Sequence, residues 1–340
     1  MSVVKRTIRI EEQGREASRA TGAWLQRVKR LQSVFGLAVI ITLASVLCVR
    51  NGENLFLNPV NLANVVRAVS ENGIIAVGMT LVILVAGIDL SVGAILGLTA
   101  TVAADLMMHK HFGTLGTVLA VLLIGALIGL LNGAVSTKLS IQSFIVTLAS
   151  MSIARGIARF WSGGTGIPIT YGNEPNLAPV SYSLLSERIA GIPVPAICFI
   201  GISIVFAALL RYTRFGRYVY AIGGNETASR LSGIRVTRVK IAVFTICGVL
   251  SAAAGLIHAA QLNQGSPNDG IGYELNAIAA VAIGGTSLSG GIGTIPGTVV
   301  GALILGVLDN MLGLLNVNNN LQMVFKGLII IAAVVLQRKK

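Results

Sequence analysis

The 340-residue chain is 54% hydrophobic and only 11% charged, against about 25% charged residues in a soluble domain. So few charges cannot cover a water-soluble body of this length, which excludes an ordinary soluble enzyme or binding module and leaves lipid as the solvent. The formal charge of +13 raises the question of a nucleic-acid partner, and the placement of the basic residues answers it.

Residues 1–32 are polar and hold eight Lys or Arg and three Glu. A cleavable signal has a short basic start and then its apolar core, so this stretch is expected to remain as a cytoplasmic basic N-terminal segment. Ser45, Val46 and Leu47 ahead of Cys48 put bulky residues near any cut, against a lipoprotein-type site. An α-helical crossing needs about 20 mainly apolar residues. Such stretches fall near 33–49, 64–86, 89–108, 115–136, 143–161, 192–210, 240–261, 274–288, 295–315 and 321–337. The expected fold class is an all-α polytopic membrane protein with a transmembrane domain over 33–337. It has about ten transmembrane helices, some short or discontinuous, and both termini are cytoplasmic. Forty glycines fit helices that approach closely through small residues, and broken helices of the kind transporters use.

Basic residues cluster on the cytoplasmic side of membrane proteins. With the N-terminus inside, 19 of the 26 Lys and Arg fall in cytoplasmic segments, and outside segments hold three, Arg50, Lys110 and Arg188. The net charge therefore reads as orientation in membrane lipid, and no nucleic acid partner is expected. The stretch 162–190, rich in Gly and Pro, faces outward as an extracytoplasmic loop and is the expected seat of a docking surface. Cys48, Cys198 and Cys247 lie far apart in apolar stretches, without the spacing of a disulfide framework or zinc site. His109 and His111 flank Lys110 with no carboxylate or thiol cluster read beside them, so no metal site is expected.

The pattern G-x-x-L-S-x-G occurs at 87–93 and again at 285–291, each followed by a Gly-Ala-Leu-Ile string, at 125–128 and 301–304. An ancestral repeat and chance in a Gly-, Ala- and Leu-rich chain both account for this echo.

The cytoplasmic segment 211–240 carries a short helix with signals at both ends. Gly223-Gly224 is expected to break the preceding structure, and Asn225 is a good N-cap. Glu226 sits in the first turn, four residues before Arg230. Gly233 is placed to end the helix in a left-handed conformation, and Ala228 and Leu231 share an apolar face. A helix of two turns needs something to pack against. Either it lies on the membrane surface, or it inserts into a groove of a cytoplasmic motor protein.

Residues 213–234 (TRFGRYVYAIGGNETASRLSGI), 78–93 (GMTLVILVAGIDLSVG) and 272–291 (GYELNAIAAVAIGGTSLSGG) resemble, in order, three motifs of the permease subunits of ribose-type ATP-binding-cassette carbohydrate importers. The resemblance covers about residues 60–337. It implies a permease domain that pairs with a second permease copy, itself or a close homologue. It also implies an ATP-hydrolysing cassette subunit, and a periplasmic or surface sugar-binding protein as donor. The ATPase-coupling contact maps onto Gly223, Gly224, Asn225, Glu226, Ala228, Arg230 and Leu231. No G-x-x-x-x-G-K-[ST] loop exists here, so ATP and Mg belong to the partner, and this chain is a non-catalytic subunit binding no cofactor. The expected setting is the bacterial inner membrane, and the expected cargo is a neutral monosaccharide or related polyol moved by alternating access.

A hydroxyl-rich neutral solute needs a wet path with amides and hydroxyls, for which Asn132, Gln142, Asn276, Thr286 and Ser287 are candidates. Interhelical hydrogen bonds account for such residues equally well. Asp89, with Ser91 nearby, is either an intramembrane functional carboxylate or the N-cap of a discontinuous helix, and Glu274 carries the same ambiguity. An ion-coupled secondary transporter of a small polar solute, with Asp89 or Glu274 as its ion site, is the alternative function. An intramembrane enzyme would need a converging acid, base or nucleophile set, and His258 and Asp309 belong to none.

Overall fold

The computed structural model describes residues 33–50, 52–174 and 176–337. The N-terminal segment 1–32, Asn51, Pro175 and the basic residues 338–340 lie outside them. The chain is built of helices: α1 (Ser33–Leu47), α2 (Pro59–Leu84), α3 (Val92–Met108), α4 (Thr114–Lys138), α5 (Ser143–Trp161), α6 (Val180–Ser183), α7 (Val194–Tyr212), α8 (Arg214–Gly224), α9 (Glu226–Leu231), α10 (Val236–Leu262), α11 (Tyr273–Ile283), α12 (Ile295–Leu314) and α13 (Asn319–Gln337). Three two-residue antiparallel pairs trim the connections: β1 (Val49–Arg50) with β2 (Glu53–Asn54), β3 (Ile167–Pro168) with β6 (Gln264–Gly265), and β4 (Arg188–Ile189) with β5 (Ile192–Pro193). Among the described residues six helices, α2, α4, α5, α7, α10 and α12, are long and apolar enough to cross a membrane, and α1, α3 and α11 are shorter apolar helices. The protein is a mostly helical, multi-pass membrane protein.

Every expected span has a helix at its place, and three of the boundaries that differ have clear local reasons. α2 starts at Pro59, five residues early, because the Asn58 side chain accepts from the Val60 amide and Pro59 is preset for the first turn. α3 starts at Val92, three residues late. The chain ahead of it runs extended along α5, with the Ile88 amide donating to Ser143 Oγ and the Leu90 amide to Thr147 Oγ1, both at 3.1 Å. α11 stops at Ile283 because Gly285 turns the chain at φ +87°.

The centre of the bundle is α2, α3 and α10, with α11 and α12 beside them. Nearly all of α3 and most of α2 and α10 are buried, whereas α4, α5 and α7 turn large aliphatic side chains outward, among them Leu119, Leu123, Ile153 and Ile204. Such a surface is stable only in lipid. Since lipid is as apolar as leucine, these helices gain from close van der Waals approach. Gly125, Gly129 and Gly133 on α4 meet Gly248, Phe244 and Ile241 of α10, where a Cβ on α4 would strike backbone. Cys48, Cys198 and Cys247 are free thiols, the first and last buried.

The two G-x-x-L-S-x-G loops join α2 to α3 and α11 to α12, and the second reaches the end of α2, the Gly291 amide donating to the Leu84 carbonyl at 3.0 Å. The Gly-Ala-Leu-Ile strings are not equivalent. One lies in α4, the second helix after its loop, with Gly125 against Gly248; the other lies in α12, the first helix after its loop, with Gly301 against the Ala280 carbonyl.

Candidate functional site

The loop 211–240 folds as two helices, and the expected break falls at Asn225, directly after Gly223-Gly224. α8 runs through both glycines. Its start is capped by Thr213, whose Oγ1 accepts from the Gly216 amide at 3.2 Å, and it buries Gly216, Val219 and Ile222. Threonine ahead of apolar residues at 215, 219 and 222 is a readable helix signal. Tyr220 Oη donates to the Gly293 carbonyl at 2.8 Å. Gly223 lies against the Leu84 carbonyl and the Gly291 amide, where no Cβ would fit, whereas Gly224 faces open space. The three quoted motifs therefore converge at one junction on the face carrying α8 and α9.

α9 has the caps its sequence promises. The Ala228 amide donates to Asn225 Oδ1 at 2.9 Å. Gly233 is left-handed at φ +82°, with its amide on the Arg230 carbonyl and the Ile234 amide on the Ser229 carbonyl, a Schellman stop. Glu226 holds two cations, Arg230 Nη2 at 3.0 Å and Lys240 Nζ at 2.6 Å. The Lys240 hydrogen bond, with Arg230, outweighs desolvation and holds the Glu226 carboxyl below its ordinary range. The helix is thus pinned to the start of α10 and stands clear elsewhere: Asn225, Ala228 and Arg230 are exposed, and Leu231 is 85% exposed. A bare leucine on a helix this short, outside the apolar surface of the bundle, marks an unfilled contact.

Beside α9 a cavity of about 520 Å³ is lined by Glu226, Arg230 and Lys240 together with Ser136, Ser140, Gln142 and Ser143. Gln142 is exposed at the N-cap of α5, without a capping bond from its side chain. Asp89, Ser91 and Asn132 form a buried chain. Ser91 donates through its amide and Oγ to Asp89 Oδ1 (2.9 and 2.6 Å), and Asn132 Nδ2 donates to Ser91 Oγ at 2.9 Å. The N-cap of α3 is Ser91, not Asp89. Asp89 instead fixes Ser91 at the entry to that helix. Thr286 is buried, and Ser287 donates its amide to the Ile292 carbonyl in the α11–α12 loop.

Glu274 lies in the first turn of α11, close to Gly93 at the start of α3 and in the field of Arg155. Arg155 donates to the Pro267 and Asp269 carbonyls, each at 2.6 Å. Near it sits an arrangement that sequence reasoning missed. His258 Nδ1 is 2.7 Å from Glu71 Oε2, its Nε2 is 3.5 Å from Asp269 Oδ2, and Tyr273 Oη donates to Glu71 at 3.4 Å. These residues are scattered over 202 positions, and only the fold gathers them. Asn276 lines a second cavity there, described further on. His109, read without a carboxylate partner, has one: Asp105, one turn back in α3, at 2.7 Å. The segment expected to serve for docking, 162–190, is tied to the bundle by the β3–β6 pair and by Tyr182, whose Oη donates to the Leu256 carbonyl at 2.7 Å.

The family model described as the permease component of the branched-chain amino acid transport system matches residues 61–334. The chain is 44% identical over 324 residues to the ribose import permease protein of Escherichia coli strain K12, covering 94% of this chain and 96% of that protein. It is 44% identical over 319 residues to the ribose import permease protein of Bacillus subtilis strain 168, covering 92% and 94%. Identity to the L-arabinose transport system permease protein of Escherichia coli strain K12 is 38% over 314 residues, 92% of each chain.

Proposed function

The chain belongs to the permease-component family of these transport systems, and on that premise we propose that it is the membrane subunit of an ATP-binding-cassette importer of a neutral monosaccharide. Sugar rather than amino acid is favoured because relatives matching almost the whole chain are named for ribose and arabinose. The chain is a non-catalytic subunit, and hydrolysis of ATP with Mg belongs to a separate cassette subunit. A solute-binding protein delivers the sugar on the opposite face, and a second permease copy completes the pathway. The setting is the bacterial inner membrane. Ten crossings, counting the short α1, α3 and α11 and adding α13, put both termini and α8–α9 in the cytoplasm, in accord with the bias of basic residues.

The observation that carries the reading is α9: capped at both ends, pinned by Glu226 to Lys240, and leaving Ala228 and Leu231 exposed among the described residues. A partner groove supplies the packing that so short a helix lacks. The ATPase stroke then reaches the bundle through α8 and the Gly223–Leu84–Gly291 junction, which joins both loop motifs. Purification of the intact complex from native membranes tests this. An ATPase subunit co-purifying with the chain is expected, and a complex without one would overturn the reading.

A further inference from the structure

The second cavity, about 530 Å³, opens between α2, α11, α12 and α13 in the half of the bundle away from α9. It is larger than a six-carbon solute needs, and its walls mix two chemistries. Apolar Val65, Val69 and Leu305 form one part. The rest is polar. Asn64 and Asn72 stand eight residues apart on α2, about 12 Å along one helix face. Tyr273 and Asn276 are three apart on α11, and Asp309 of α12 is paired with Lys326 of α13 at 2.9 Å.

A carboxamide between transmembrane helices most often closes on another helix, and one neighbouring pair does so. Asn61 and Asn310 donate to each other at 3.0 and 2.8 Å, locking α2 to α12. Asn72 and Asp309 are different: Oδ1 of each is buried without a hydrogen-bond partner. Amides and an ion pair at this depth cannot face hydrocarbon and require water or a polar occupant. The two charged residues that line it, Asp309 and Lys326, are paired, so its walls offer donors and acceptors and no unpaired charge. Carboxamides beside aliphatic side chains suit a solute with hydroxyl edges and C–H faces.

We propose that this cavity is a resting site for an uncharged polyhydroxylated solute during its passage, with Asn72, Asn276 and Asp309 bonding its hydroxyls. The inference rests on the sugar-importer reading and adds the place where the cargo is held. It is tested on the full importer complex in vesicles, with D-ribose as the probe, by Asn72→Leu and Asn276→Leu. Loss of one or two solute hydrogen bonds should cut uptake by about tenfold or more while solute-stimulated ATP hydrolysis stays within about twofold. Unchanged uptake in both variants overturns the proposal. If uptake and hydrolysis fall together, Asn276→Cys in the full chain decides, labelled by an impermeant thiol reagent against the unsubstituted protein as background. Slowing of labelling by D-ribose supports the site, and a rate indifferent to D-ribose overturns it. Absence of any ATPase from the complex would instead sink the importer reading, and the labelling measurement on the chain in lipid would still judge the cavity.

Discussion

Two adjacent glycines in α8 do different work. Gly223 sits where a side chain would strike the Leu84 carbonyl and the Gly291 amide, while Gly224 looks into open space. Gly223→Ala should therefore force the junction apart and cost about 1–3 kcal/mol. Gly224→Ala should be neutral or stabilise by up to about 1 kcal/mol, since alanine is the better helix former. Thermal unfolding of the two variants in detergent, followed side by side, checks the contrast. Glu226 gives a prediction in pH. Lys240 and Arg230 hold its carboxyl below the ordinary range. Its contribution to holding α9 is therefore fully present above the unfolded value of about 4.3 and is lost as pH falls through the lower folded value. Assembly with the ATPase should be flat through neutral pH. Glu226→Gln should reproduce the acid-weakened attachment at pH 7, read by partner retention on a column. At this scale the caps of α9, Asn225 and Gly233, were legible because each acts within four residues of sequence. The Gly223 junction and the Glu71–His258–Asp269 cluster were not, because their partners lie far along the chain and carry no spacing signal.

Hydropathy located a helix at each of the ten apolar stretches, and six of these among the described residues are long and apolar enough to cross a membrane. It failed where shorter chemistry decides: the cap at Asn58, the extended run before Val92, and α8, whose period is visible only over eleven residues. The glycine excess pointed to close helix approach, and α4 on α10 is where it is used. Gly129 has the Phe244 backbone where a Cβ would be. Gly129→Leu should separate the two helices, costing about 3 kcal/mol or more through lost packing. The outward-facing Leu119→Ala should cost far less, because Leu119 is more than half exposed on the outer surface of the bundle. Yield of folded protein from membranes and its unfolding temperature report both.

Across the whole molecule, one face gathers the three sequence motifs at a rigid junction, and the other holds the polar cavity and the ion cluster. α2 and α12 run between them, joined by the Thr80–Thr298 hydroxyl contact at 2.7 Å and the Asn61–Asn310 amide pair. In the proposed mechanism that continuity carries movement at α9 to the far cavity. The resemblance in the sequence pointed to α9 as the coupling contact, but not to the meeting of α8 with the end of α2 and the α11–α12 loop, since convergence is a property of the fold. The most direct test is Leu231→Asp in the intact importer, reading ATPase assembly and solute-stimulated hydrolysis together. Leu231 is 85% exposed in this chain alone, so the substitution should leave folding and membrane insertion intact. If Leu231 fills a partner groove, about 1.5–3 kcal/mol of burial is lost, and assembly weakens roughly 10- to 100-fold with hydrolysis falling alongside. A correctly inserted Leu231→Asp protein that still assembles and still stimulates hydrolysis at the parent level would contradict the account.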